Sequence, residues 1–280
     1  MKLIRAISIA TKELQKKGIK SALLDSELLL SKAINKKREF IILNSSYNIN
    51  KNNINDFWKL IHQRSKGKPV AYLTGKKFFW KHEFKINDKV LIPRPDTEII
   101  VEQILHLYRN KKKIRFIDVG TGSGCILLSI LKERKDFKGT GLDLSSNALK
   151  ICDYNAEKLR VKNRMKLFKT DIDKFGVGKY DLVISNPPYI KNLDLKYLDK
   201  EVVNFEPRLA LDGGIDGLSE IRKVIKKSSE LIKRGGKLIL EIAFDQREKV
   251  KKLLRNNNFY INSVVKDLAK NDRCIISTRK

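Results

Sequence analysis

Ile114-Arg115-Phe116-Ile117-Asp118-Val119-Gly120-Thr121-Gly122-Ser123-Gly124 reads as a short apolar strand and a glycine loop, and residues 125–134 continue it as a helix. Strand, loop and helix in that order form the first turn of a nucleotide pocket. Glycines let the backbone approach a ligand without Cβ obstruction, and the loop ends at a helix N-terminus, where free N–H groups gather. The spacing is not the G-x-G-x-x-G of dinucleotide enzymes, and no Lys-Ser/Thr pair closes it as in a P-loop. About 20 positions on, a second strand ends at Asp143, where a carboxylate accepts both hydroxyls of a ribose.

The same alternation runs outward from this stretch. Apolar strand segments fall at 114–118, 139–143, 165–169, 180–185, 237–242, 260–266 and 274–278, with helical segments between most of them. This predicts an α/β fold, a doubly wound, mainly parallel seven-stranded sheet with helices on both faces. Residues 2–66 are different. Their apolar positions, Ile4, Ile7, Ile9 and Leu14, then Leu23 to Leu30, then Ile54, Phe57, Leu60 and Ile61, predict short amphipathic helices, with Gly18 and Gly67 placed to end two of them. Residues 77–92 are aromatic and β-branched, and with a turn at Asn87-Asp88 they predict a connecting hairpin. The expected division is a helical domain over residues 1–75, a hairpin linker over 76–95 and a catalytic domain over 96–280. A chain of 280 residues has room for one catalytic domain and one small companion.

Asn186-Pro187-Pro188-Tyr189 follows the strand at 180–185 and is built to hold a planar NH2 group. Two consecutive prolines fix φ and carry no N–H, and the residue before a proline is pushed to extended geometry. Such a turn presents acceptors. The Asn186 oxygen and the Pro187 carbonyl each take one hydrogen of the NH2, and the Tyr189 ring lies flat against the conjugated plane that carries it. Drawing the hydrogens of an amide out of conjugation frees its lone pair and offsets the positive charge that develops on nitrogen. The plainer reading, a strand-to-loop turn stiffened by two prolines, loses ground once the glycine loop and Asp143 are read with it.

Charge and cysteines set outer bounds. The formal net charge is +28, from 60 Lys and Arg against 32 Asp and Glu, which suits either a polyanionic partner or a genome rich in Lys, Asn and Ile. The basic clusters, such as Lys36-Lys37-Arg38 and Lys111-Lys112-Lys113, are short and lie at element ends, as solvated faces do. Cys125, Cys152 and Cys274 are odd in number and far apart, and His62, His82 and His106 are scattered, so neither a disulfide framework nor a metal site is expected. Cys125 opens a helix beside the glycine loop and is expected to be a buried thiol rather than a reactive one. The charged first residues do not form an export signal, and no apolar run approaches the ~18 residues of a membrane span.

The chain resembles a known family at this point. Asn186-Pro187-Pro188-Tyr189 together with the stretch from Asp118 to Gly124 is similar to the class I S-adenosylmethionine-dependent amino methyltransferases. Three further stretches, Ala71-Tyr72-Leu73-Thr74-Gly75, residues 91–98 (LIPRPDTE) and residues 206–217 (EPRLALDGGIDG), narrow the resemblance to the peptide chain release factor N5-glutamine methyltransferases, the HemK/PrmC family. It implies a Rossmann-like methyltransferase domain, the cofactor S-adenosyl-L-methionine, and as substrate the glutamine of the Gly-Gly-Gln motif in class I release factors. Carried over by position, Asp118 and Gly120, Thr121, Gly122, Ser123 and Gly124 line the methionine end of the cofactor, Asp143 the ribose, and Asp171 with Ile172 the adenine. Asn186 borders the cofactor and, with Pro187 and Pro188, holds the target amide, with Tyr189 over its plane. From their own apolar helical pattern, residues 2–66 are expected to dock the protein substrate, and the enzyme is expected to be a cytoplasmic monomer that needs no metal and no bound nucleic acid. Two other classes stand beside this one: an amino methyltransferase acting on an exocyclic base amine of RNA or DNA, which the charge suits, and a non-catalytic protein that keeps the cofactor fold.

Overall fold

The computed structural model describes all residues from Met1 to Lys280. The chain opens with five helices, α1 (Leu3–Lys16), α2 (Ala22–Ile34), α3 (Arg38–Leu43), α4 (Lys51–Ser65) and α5 (Val70–Thr74). A hairpin of β1 (Lys76–Phe79) and β2 (His82–Lys85) follows, then α6 (Glu98–Leu107), β3 (Arg115–Val119), α7 (Cys125–Glu133), β4 (Lys138–Asp143), α8 (Ser146–Lys158), β5 (Met165–Lys169) and β6 (Tyr180–Ser185). After α9 (Lys200–Phe205) come α10 (Ser219–Leu231), β7 (Ile232–Glu241), α11 (Arg247–Asn256), β8 (Phe259–Lys266) and β9 (Asp272–Arg279). Two compact units result: residues 1–76 with 199–205, and residues 77–198 with 206–280.

In the helical unit the inward face of α1 is Leu3, Ala6, Ala10 and Leu14, whereas Ile4 and Ile9, expected on that face, are 59% and 42% exposed. Alanine has no side chain beyond Cβ, so placing Ala6 and Ala10 inside lets α1 and α2 lie close together, and the larger isoleucines turn outward. Leu29, Leu30, Phe57 and Ile61 complete this core, while Leu23 and Leu24 are exposed. Gly18 and Gly67 follow α1 and α4 with positive φ, the left-handed backbone that ends a helix. Arg64 is buried at the end of α4, bonded to Asp25 of α2 and Glu201 of α9, each at 2.7 Å. That pairing binds a helix from late in the sequence into the first unit. Nothing in the local pattern of residues 199–205 announces it.

The hairpin turns at Trp80-Lys81, not at Asn87-Asp88 as expected. Trp80 adopts φ 55°, a backbone conformation that favours glycine, and both of its N–H donors are taken by carboxylates: the main chain by Glu98 at 2.8 Å and the indole by Glu133 at 3.0 Å. Asn87 and Asp88 form a separate turn beyond β2, closed by the Val90 N–H on the Asn87 carbonyl.

The large sheet has seven strands in the order β5-β4-β3-β6-β7-β9-β8, parallel from β5 to β7 and antiparallel at β9 and β8. Its middle strands are apolar in succession because helices cover both faces, and Ile117, Val183, Leu238 and Leu240 are buried among the helix residues Ile221, Val224 and Ile225. β7 starts earlier than the expected residue 237, because Ile232 pairs with Tyr180 before a bulge carries the chain to Lys237 opposite Leu182. No helix is long and apolar enough to cross a membrane.

Candidate active site

The chain builds β3, β4 and β5 outward in one direction and then returns to place β6 on the other side of β3. Where strand order reverses, the connections leave in opposite directions and open a crevice at the carboxyl ends of the strands. A cavity of about 300 Å3 lies there. Gly120 and Gly122 line it beyond β3, Asp143 and Leu144 at the end of β4, Asp171 and Ile172 beyond β5, and Asn186, Pro187 and Pro188 beyond β6. The Ser185 hydroxyl donates to the Val119 carbonyl at 2.8 Å, which ties the ends of β6 and β3 together at the crevice.

Asp143 organises the glycine loop. Gly122, at φ 55°, turns its N–H to Asp143 Oδ2 at 2.9 Å, and the Ser145 N–H donates to Oδ1 at 2.8 Å. Each oxygen keeps a further lone pair for a hydroxyl. Burial raises the Asp143 pKa, against the pull of those two N–H groups. Asp171 Oδ1 accepts from the Asp173 N–H at 3.1 Å, and Lys223 stands 3.7 Å from its other oxygen.

Asp118, Thr121, Ser123 and Gly124 are not on the cavity wall. Asp118 is buried beneath the loop, with Oδ2 accepting from the Thr121 hydroxyl at 2.8 Å and Oδ1 without a hydrogen bond of ordinary length and angle. Burial pushes its pKa up to about 7, opposed by the Thr121 hydroxyl. The Cys125 thiol is pushed up to about 12 by burial and the neighbouring Asp118 charge, so it is not a thiolate.

Asn186 presents Nδ2 to the Thr97 hydroxyl at 3.2 Å, which leaves Oδ1 as its free acceptor. Tyr189 does not line the cavity: it packs against the sheet core, and its hydroxyl donates to Glu241 at 3.2 Å. A ring flat over a target plane, as read from the sequence, is therefore not part of the cavity wall. Residues 206–217 fold against the tetrapeptide. A Cβ on Gly217 would run into the Tyr189 carbonyl, and Gln246 bridges the same two residues by donating to the carbonyls of Tyr189 at 3.1 Å and Gly217 at 3.0 Å. Arg94 and Glu206 pair at 2.6 Å and join the 91–98 and 206–217 stretches, so this pair holds loops together.

Thr97 and Glu241 do not stand out in the sequence as site residues. Thr97 reads as part of a helix start, Asp96-Thr97-Glu98. The one signal for Glu241 is an acid inside the apolar run Leu238-Ile239-Leu240-Glu241-Ile242, where a carboxylate is costly without partners.

The chain matches the PrmC N-terminal domain over residues 5–75 and the methyltransferase small domain over residues 96–209. It is 36% identical over 278 residues to the release factor glutamine methyltransferase of Caulobacter vibrioides, covering 99% of this chain and 96% of the relative. It is also 36% identical to that of Clostridium acetobutylicum, over 91% of this chain and 90% of the relative. A bifunctional methyltransferase of Rickettsia felis is 33% identical over 97% of this chain, which spans 57% of that longer protein. Among solved structures, a methyltransferase from Pyrococcus furiosus has a TM-score of 0.52 at 16% identity, over 70% of this chain and 88% of that one. The ribosomal protein L11 methylase of Lactobacillus delbrueckii subsp. bulgaricus has a TM-score of 0.50 at 20% identity, over 67% and 80%. These two likenesses concern the fold. By sequence, over nearly its whole length, the chain belongs to the release factor glutamine methyltransferase family.

Proposed function

We propose that the chain transfers a methyl group from S-adenosylmethionine to the side-chain amide nitrogen of the glutamine in the Gly-Gly-Gln motif of class I release factors. The observation that carries this reading is one cavity at the strand-order reversal that holds both Asp143 and the acceptor edge of Asn186-Pro187-Pro188. Its residues fit the cofactor. Asp143 keeps lone pairs for ribose hydroxyls, and Leu144, Ala148 and Ile172 give an apolar wall for a base. When bound, the cofactor supplies a methyl on a positively charged sulfur, already activated for displacement.

The chain's own task is then to bind and align. Asn186 Oδ1 and the Pro187 carbonyl accept the two amide hydrogens and turn the nitrogen lone pair toward the methyl. Transfer to the nitrogen so held would leave the carbon–sulfur electron pair on the departing sulfur, and one amide proton would pass to water. We assign to Tyr189 the anchoring of the tetrapeptide's far end through its bond to Glu241. The helical unit docks the release factor, and the exposed apolar side chains Ile4, Leu23, Leu24, Ile42 and Leu43 support that role. We read the enzyme as acting in the cytoplasm, which three free cysteines support, and as a monomer without bound nucleic acid.

Isotope-labelled cofactor, purified enzyme and release factor provide the test, read by peptide mass spectrometry, with RNA and DNA offered under matched conditions. A labelled methyl on the Gly-Gly-Gln glutamine is the expected outcome. Label on nucleic acid with none on that glutamine would move the reaction to an exocyclic base amine.

A further inference from the structure

Thr97, Asn186 and Glu241 are far apart in the sequence and meet behind the cavity wall. An asparagine amide has two donors at one end and an acceptor at the other, and nothing in its own chemistry decides which end faces a substrate. Thr97 decides it in this fold. Its hydroxyl is buried and accepts from Asn186 Nδ2 at 3.2 Å, so its single proton must be given elsewhere. Glu241, the last residue of β7 and 1% exposed, is the acceptor at hand: the Thr97 hydroxyl draws its pKa down, and the Tyr189 hydroxyl donates to Oε1 at 3.2 Å. Oε2 has no hydrogen bond of ordinary length and angle, so the carboxylate has acceptor capacity to spare. An ionised carboxylate accepts only. It draws the Thr97 and Tyr189 protons toward itself and leaves the Thr97 lone pairs facing Asn186.

We propose that Glu241 is a positioning residue for methyl transfer, which acts through Thr97 to hold the Asn186 amide with its oxygen toward the target nitrogen and through Tyr189 to anchor the same tetrapeptide. The inference rests on Asn186 being the acceptor for the target amide. With the Asn186 amide reversed, NH2 would face NH2, a donor against a donor, and the lone pair of the target would stay in conjugation. Glu241 is faced by Asp96 beside Thr97, Tyr189 beyond β6, Arg273 on β9, and the thiols of Cys125 and Cys274. Burial outweighs the Arg273 charge and raises the Glu241 pKa to about 7. Once protonated, Glu241 becomes a donor and the one-way ordering of hydroxyls ends, so the transfer rate rises with pH through that value.

The experiment compares Thr97→Val, Thr97→Ser, Glu241→Gln and Asn186→Ala by single-turnover transfer to release factor at saturating cofactor and substrate, with cofactor affinity measured by calorimetry. Thr97→Val and Glu241→Gln should slow transfer by about 10- to 100-fold, the range for loosening a preorganised group, with cofactor affinity within about twofold. Thr97→Ser, which keeps the hydroxyl, should restore most of the rate. Glu241→Gln should also abolish the rise with pH near 7, and because Asp118 titrates in the same range, only that loss assigns the rise to Glu241. Transfer at the wild-type rate in both Thr97→Val and Glu241→Gln, with Asn186→Ala slow, would overturn the relay and leave the role of Asn186 standing. If all three keep the wild-type rate, the reading of Asn186 itself fails. Where Thr97→Val does not fold, the pH profile of Glu241→Gln against wild type decides in the same terms.

Discussion

Asp118 ends an apolar stretch in the sequence, and in the fold it is a carboxylate with one oxygen on Thr121 and the other without a hydrogen bond of ordinary length and angle. A carboxylate whose folded pKa is raised binds its proton more tightly in the folded state than in the unfolded one, so stability falls as pH rises across the interval between the two values. For Asp118 that interval runs from 3.8 to about 7, and for Glu241 from 4.5 to about 7. Thermal unfolding of the ligand-free enzyme should therefore show a melting temperature that drops by several degrees between about pH 5 and about pH 7 and then levels. Asp118→Asn should flatten a large part of that slope. A slope unchanged in Asp118→Asn would mean that this carboxylate is ionised at little cost, and the buried state described for it would be wrong. Asp143 and Asn186 were legible in the sequence because each belongs to a short local pattern, an acid at a strand end and an asparagine before two prolines. Thr97 and Glu241 were not, since their meaning lies in partners 89 and 52 positions away, Asn186 and Tyr189.

At the scale of elements, spacing located the strands and left the faces of the helices open. In α1 several apolar residues satisfy a helical period, and only the close approach of α2 selects the alanines for the inside. The hairpin is a similar case: Asn87-Asp88 has the local chemistry of a turn, but Trp80 takes it because two distant carboxylates hold both of its donors. The apolar side chains that the helical unit turns outward are the surface proposed for docking the release factor. Leu23 and Leu24 of α2 are 55% and 42% exposed, so replacing both with serine removes apolar surface without opening the core. With release factor as substrate the KM should rise about fivefold or more, a loss of ~1 kcal/mol of apolar contact, while kcat, cofactor affinity and melting temperature stay as in wild type. A KM unchanged in steady-state assays would place the docking surface elsewhere.

On the scale of the whole molecule, the order of strands gathers the site. Four strand ends bring the glycine loop, two acidic turns and the tetrapeptide to one crevice, although the segments span residues 120 to 188. The doubly wound sheet could be read from alternating segments because both faces of its middle strands are buried, which makes them uniformly apolar. The union of α9 with the first unit could not be, because it rests on Arg64 reaching an acid that lies 137 positions later, Glu201. The central claim is that this crevice aligns a glutamine amide through the Asn186 oxygen, and its most direct test is single-turnover methyl transfer by Asn186→Ala at saturating cofactor and release factor. The expected rate is lower by about a hundredfold or more, near 2.7 kcal/mol, in a folded enzyme whose cofactor binding falls far less. A folded Asn186→Ala enzyme that transfers methyl at close to the wild-type rate would contradict that claim.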